Sequence, residues 1–141
     1  MISATFKLDT DAIKQIAFFE SITHAKVSDC AEIEDKLLFI VGEGNIGKAI
    51  GKNGSNVKLL EQKFNKKVEI IEFNNDPAKF VANILRPVEV KSSEIVTNGS
   101  SNVLNVIINC TRAMFPSKKV KKAKLLLKKY FPQIGEVTIT T

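Results

Sequence analysis

Val41-Gly42-Glu43-Gly44-Asn45-Ile46-Gly47-Lys48-Ala49-Ile50-Gly51-Lys52-Asn53-Gly54-Ser55-Asn56-Val57 holds five of the seven glycines in the chain. The apolar run 37–41 leads into it, and Val57, Leu60 and Phe64 lead out at helical spacing. Three phosphate-binding patterns compete for these residues. Gly42-x-Gly44-x-x-Gly47 fits a dinucleotide fingerprint between a predicted strand and a predicted helix, and Glu69 stands about 20 residues on, where a ribose-binding acid belongs. Gly42-x-x-x-x-Gly47-Lys48 fits a P-loop up to its final position, where Ala49 has no hydroxyl to place on Mg²⁺. The third pattern is Gly51-Lys52-Asn53-Gly54, a G-x-x-G turn between two short helices.

Geometry separates the three. Both nucleotide folds need a long unbroken helix after the glycine loop, so that its free N–H groups and dipole hold the phosphate. A helix begun near Asn45 meets Gly51 and Gly54 within about two turns, and each interior glycine costs roughly 0.5–1 kcal/mol relative to alanine. Helix, tight turn, helix is therefore the expected arrangement.

Ala49-Ile50-Gly51-Lys52-Asn53-Gly54-Ser55-Asn56-Val57 resembles the core of a KH domain, whose G-x-x-G loop clamps about four nucleotides of single-stranded nucleic acid. The longer stretch Gly47-Lys48-Ala49-Ile50-Gly51-Lys52-Asn53-Gly54, with Asn56-Val57-Lys58, resembles the archaeal NusA-like transcription factors, short chains of two tandem KH domains. The chemistry of the residues agrees. Glycines let backbone N–H groups approach a sugar-phosphate chain where a Cβ would collide. Lys52, with Lys48 and Lys58 nearby, supplies positive charge, and Ser55 and Asn56 are expected to cap the following helix and lend donors. Gly47, Ile50, Gly51, Asn53 and Gly54 complete the set expected to meet RNA here.

A length of 141 residues allows one ordinary domain or two small ones. The contents of 44% hydrophobic and 26% charged residues suit a soluble globular chain. Met1-Ile2-Ser3-Ala4-Thr5-Phe6-Lys7 lacks the apolar run of a signal peptide and no stretch approaches a membrane span, so a cytoplasmic protein without membrane contact is expected. Cys30 and Cys110 stand far apart with His24 the one histidine, which argues against a zinc site and a Cys–His nucleophile pair. The adjacent carboxylates Glu34 and Asp35 fall at a predicted hairpin turn, where solvation is their expected fate. Neither an enzyme, nor a cofactor, nor a metal, nor a small-molecule substrate is expected.

Taken in order, Asp9 or Thr10 can cap a helix over 11–22 with Ala12, Ile16, Phe19 and Ile22 on one stripe. Residues 25–34 alternate partially and read as a strand, and the continuous apolarity of 37–41 predicts a second strand buried on both faces. The two short helices follow, then a third strand over 68–73. The resemblance implies the prokaryotic-type (type II) KH fold, and this order supports it. Asn74-Asn75-Asp76-Pro77 is the clear boundary, where Asp76 can cap a new helix and Pro77 take its first position. Strands over 88–96 and 103–108 joined through Asn98-Gly99, a helix over 112–131 and a strand over 137–140 complete the chain. The order of the first half has repeated. The expected class is α+β, with two tandem KH domains over 1–74 and 75–141, each a small three-stranded sheet packed with helices.

A shift of 63 sets Val57 on Val120, Leu60 on Ala123 and Phe64 on Leu127. It also sets Gly51 against Met114 and Gly54 against Ser117, with Pro116 in place of an N–H donor. The second turn has lost its clamp, a departure from the resembled family. Charge tells the other way. Eight of the 21 basic residues lie in 112–131 with no acid among them, and the rest of the chain carries 13 basic against 15 acidic residues. With Val120, Ala123, Leu127 and Tyr130 turned to the core, the lysines are expected to form the opposite face of a basic amphipathic helix. Lys118, Lys119, Lys121 and Lys122 are expected to meet phosphates there without base specificity.

These readings converge on a single-stranded RNA-binding protein. The resemblance implies a factor acting on the nascent transcript during elongation or termination (antitermination), with RNA polymerase as a candidate partner. A KH protein of the ribosome or of RNA processing, and a protein-interaction module with incidental RNA contact, are the alternatives.

Overall fold

A computed structural model describes residues 4–6 and 10–141, which form two compact units, Met1–Phe73 and Asn74–Thr141. In the first unit, β1 (Ala4–Phe6) precedes α1 (Thr10–Thr23), and the β2 (Val27–Ile33) and β3 (Lys36–Val41) hairpin follows. Next come α2 (Ile46–Ile50), a 3-10 turn (Lys52–Gly54), α3 (Ser55–Phe64) and β4 (Lys67–Glu72). The strand order is β1-β2-β3-β4, antiparallel except for the parallel pair β3 and β4. Antiparallel neighbours need only a tight turn, whereas a parallel pair needs a crossover, and here α2 and α3 supply it. The sheet thus has four strands, one more than expected, because Ala4 to Phe6 pair with Ile33 to Ala31. Three residues are too few to show alternation, so β1 leaves no pattern to read. The expected cap Asp9 lies outside the described residues.

Glu34 and Asp35 form the two-residue β2–β3 turn, with φ of 49° and 62°, between the paired Ile33 and Lys36. Two positive φ values are what a twisted hairpin with so short a loop demands, and both carboxylates are exposed there. All five residues 37–41 are buried, as their unbroken apolarity predicts. On the helical side of the sheet Phe19 stacks on Phe39 at 4.3 Å between ring centroids, and Phe39 on Phe64 at 5.9 Å. Ala49 and Leu60, fully buried in the same cluster, anchor α2 and α3 to it. Each buried large side chain contributes roughly 1.5–3 kcal/mol, so the helices flanking the glycine turn are firmly seated.

In the second unit α4 (Pro77–Leu85) opens with the expected cap, the Asp76 carboxylate accepting from the Ala78 N–H at 3.0 Å with Pro77 at the first helical position. β5 (Glu89–Asn98) and β6 (Ser101–Asn109) pair antiparallel around Gly99-Ser100, Gly99 taking φ of 65°. A 3-10 turn (Arg112–Met114), α5 (Ser117–Tyr130) and β7 (Ile134–Thr140) complete the unit, β7 lying parallel to β6 in the order β5-β6-β7. The helix expected over 112–131 is broken: Phe115 is extended and α5 starts only after Pro116. Pro116 removes a helical donor and pushes the residue before it out of the helical region. β7 begins three residues earlier than expected, at Ile134, because Gly135 is accommodated as an unpaired bulge opposite β6. No helix among the described residues is long and apolar enough to cross a membrane.

Candidate nucleic-acid interface

α2 lasts five residues and ends where Gly51 takes φ of 76° and ψ of 170°. That backbone region is essentially reserved for glycine. Space makes the same demand, since a Cβ on Gly51 would lie 2.8 Å from Asn56 Cγ and 2.9 Å from Ser55 Oγ. Asn53 (φ 55°) and Gly54 (φ 72°) are both left-handed, and the Gly54 N–H returns to the Gly51 carbonyl at 3.2 Å. A helix stopped after five residues cannot serve either nucleotide fold, and the turn from 51 to 54 stands between two helices.

Ser55 has helical dihedrals and is the first residue of α3, not its cap; Gly54 holds the capping position and no side chain satisfies it. The expected capping role of Ser55 and Asn56 is therefore corrected. Asn56 reaches backward instead, donating from Nδ2 to the Lys48 carbonyl at 2.9 Å. It satisfies one of the terminal carbonyls of α2 and ties the two helices across the turn. Asparagine early in a helix reads as a cap by local propensity, and only the tertiary proximity of α2 shows its other use.

Lys48, Lys52, Asn53, Ser55 and Lys58 are exposed, and Ile50 is 39% exposed beside the turn. Gly47 lies inside α2, where a Cβ would meet nothing within 4 Å, so no steric need explains its glycine. The structure thus brings the expected residues of the first half onto one local element, α2, turn and the start of α3. Glu69, the ribose-acid candidate, sits on β4 opposite Leu38, embedded in the parallel pair.

The second-half candidates divide. Lys118 and Lys121 are exposed on α5. Lys119 is half-buried and donates to the Arg86 carbonyl at the end of α4, while Lys122 is only 9% exposed. The expectation that all four lysines line a solvated face is corrected for these two. Lys122 is one helical turn from buried Leu126, so it lies at the margin of the apolar stripe rather than opposite it. The exposed row is instead Lys118, Lys121, Lys124 and Lys128. Where the first unit has its glycine turn, the second presents Met114 at 72% exposure. Among the described residues no group of three His, Cys, Asp or Glu side chains could hold a metal ion.

A KH-domain family model matches residues 14–101, from within α1 through the first unit and on to the start of β6. The chain is 39% identical over 131 residues to a protein of Methanocaldococcus jannaschii named probable transcription termination protein NusA, a match covering 90% of this chain and 72% of that one. A protein of the same name from Halococcus morrhuae is 35% identical over 94 residues, covering 67% of this chain and 68% of its own length. Among solved structures, the crystal structure of a protein designated APE1850 matches with a TM-score of 0.75 and 28% identity, over 94% of this chain and 99% of that one.

Proposed function

The chain belongs to the archaeal NusA family of KH-domain proteins, and from that premise we propose that it binds nascent RNA as a single strand through the turn at 51–54 and acts in transcription termination. The observation that carries this reading is the turn itself. Gly51 and Gly54 hold positive-φ conformations and bring no Cβ of their own to the turn, and Lys52 and Asn53 stand exposed at its tip. A sugar-phosphate chain can approach such a backbone closely, with Lys48, Lys52 and Lys58 neutralising charge and the exposed Ile50 offering an apolar surface to a base.

The second unit repeats the order helix, strand, strand, turn, helix, strand with a parallel final pair, and we read the chain as two tandem KH domains, the second without its clamp. Lys118 and Lys121 then add sequence-blind phosphate contact, while discrimination among RNAs resides in the first unit. Association with RNA polymerase is part of this proposal; co-purification with polymerase rather than with ribosomes separates it from a role in translation.

The test replaces Lys52 and Asn53 with aspartate. Both residues are exposed, and aspartate tolerates the left-handed conformation of Asn53, so folding should be unaffected. Single-stranded RNA affinity should fall by more than about tenfold, the scale of charge-assisted contacts turned repulsive. Unchanged affinity in a variant that melts normally would remove the turn from the interface.

A further inference from the structure

The second unit carries a groove that the RNA reading leaves unused. It lies between the C-terminal half of α5 and β7, lined by Lys124 and Lys128 on one side, Pro132 and Ile134 at the end, and Glu136 and Val137 along the strand. We infer that this groove docks an extended acidic segment of a partner protein, added as a further strand to the free edge of β7.

Four observations carry the inference. First, β7 is an edge strand of seven residues, paired with β6 alone in a sheet ordered β5-β6-β7. An open edge presents a row of backbone donors and acceptors, which proteins commonly blunt with proline or lysine. The sequence Ile134-Gly135-Glu136-Val137-Thr138-Ile139-Thr140 contains neither and is rich in strand-forming residues. Second, Lys124 and Lys128 are exposed on the helix that packs against this strand, no acid occurs between residues 112 and 131, and the groove's lining sets these two lysines against the single carboxylate of Glu136. One helical turn separates them by about 6 Å, close to the roughly 6.6 Å between alternate side chains of an extended strand. Third, Glu136 alternates with buried Val137, which in an extended strand assigns it to the other face, so it borders the groove from the edge of β7. A partner strand therefore places acids at every second position, toward α5, and uncharged residues toward Glu136. Fourth, the turn that would feed a nucleic acid into this side lacks its glycines, exposes Met114 and has Pro116 in place of a donor. Backbone pairing along a strand edge with charge selection by flanking lysines is the chemistry of peptide addition.

The test uses the full chain, isotopically labelled, and NMR titration with an acetylated and amidated peptide of alternating Glu and Val. Amides at 135–140 should shift, and binding should weaken by about tenfold in the Lys124→Glu, Lys128→Glu double variant and by a similar factor when Gln replaces Glu in the peptide. N-methylating the peptide at its Glu positions or at its Val positions should abolish binding in one case and spare it in the other, because one set of amides faces β7. Peptide binding should be unchanged in the Lys52→Asp, Asn53→Asp variant, whose substitutions lie in the other unit at the turn 51–54. Failure of the amides at 135–140 to shift overturns the inference, as does indifference to both methylation patterns. Displacement of the peptide by octauridylate, with the same amides shifting further, would instead make the groove a nucleic-acid site and equally overturn it.

Discussion

Substituting Gly51 by alanine should damage the protein more than substituting Gly54, although both glycines have positive φ. At Gly54 (φ 72°, ψ 18°) a Cβ would meet nothing within 4 Å, so the cost is the left-handed strain of one residue, about 1–2 kcal/mol. At Gly51 (φ 76°, ψ 170°) the backbone lies where side chains almost never go, which costs of order 1–3 kcal/mol by itself. The new Cβ would also stand 2.8 Å from Asn56 Cγ and 2.9 Å from Asn56 Nδ2. Asn56 must swing aside, breaking its 2.9 Å bond to the Lys48 carbonyl at a further cost of about 0.5–1.5 kcal/mol. The expected loss is thus about 2–4 kcal/mol for Gly51→Ala against about 1–2 for Gly54→Ala. Urea titration followed by circular dichroism measures both. Equal losses, or a smaller loss at Gly51, would refute the argument that space and conformation act together there.

Changing Lys118 and Lys121 to glutamine should weaken all single-stranded RNAs alike and lower the slope of log affinity against log salt by up to about 0.7 per lost contact, whereas an unchanged slope would exclude both from the interface. Asp76→Ala should cost about 1 kcal/mol in a urea titration through loss of the bond to the Ala78 N–H, and a change within about 0.3 kcal/mol would show that the cap contributes little. ATP and NAD should give no calorimetric signal at millimolar concentration, because α2 ends after five residues and Ala49 replaces the Mg²⁺-binding hydroxyl. Micromolar binding lost on changing Gly47 would overturn that.

How far each element was legible depended on whether its cause was local. The glycine turn was readable because Gly-Lys-Asn-Gly interrupts helical periodicity within two turns, a purely local conflict. The doubly buried β3 and the Asp76-Pro77 helix start were readable for the same reason, through continuous apolarity in one case and a cap with proline in the other. The misses have causes elsewhere in the chain. β1 exists because β2 offers it an edge. Asn56 turns from capping because the end of α2 comes within reach. Lys122 is buried because Leu126 sets the direction of the packed stripe, and charge counting cannot see where a helix rotates. Pro116 is a local signal of a break, but Arg112 and the lysines that follow the proline read as one acid-free helical segment.

The Asn56 bond to Lys48 has a consequence for timing. Two helices seated by buried Ala49 and Leu60, and tied to each other across four residues, hold the turn in one shape before anything binds. A surface with nothing left to order loses little entropy on contact and needs no rearrangement before it closes. Encounter then proceeds at the rate at which a strand diffuses and orients, and differences among sequences are expressed in how long each one stays. For the RNA site proposed at this turn, a preformed surface implies that transcripts are distinguished by dwell time, with each register tried and released before the next arrives.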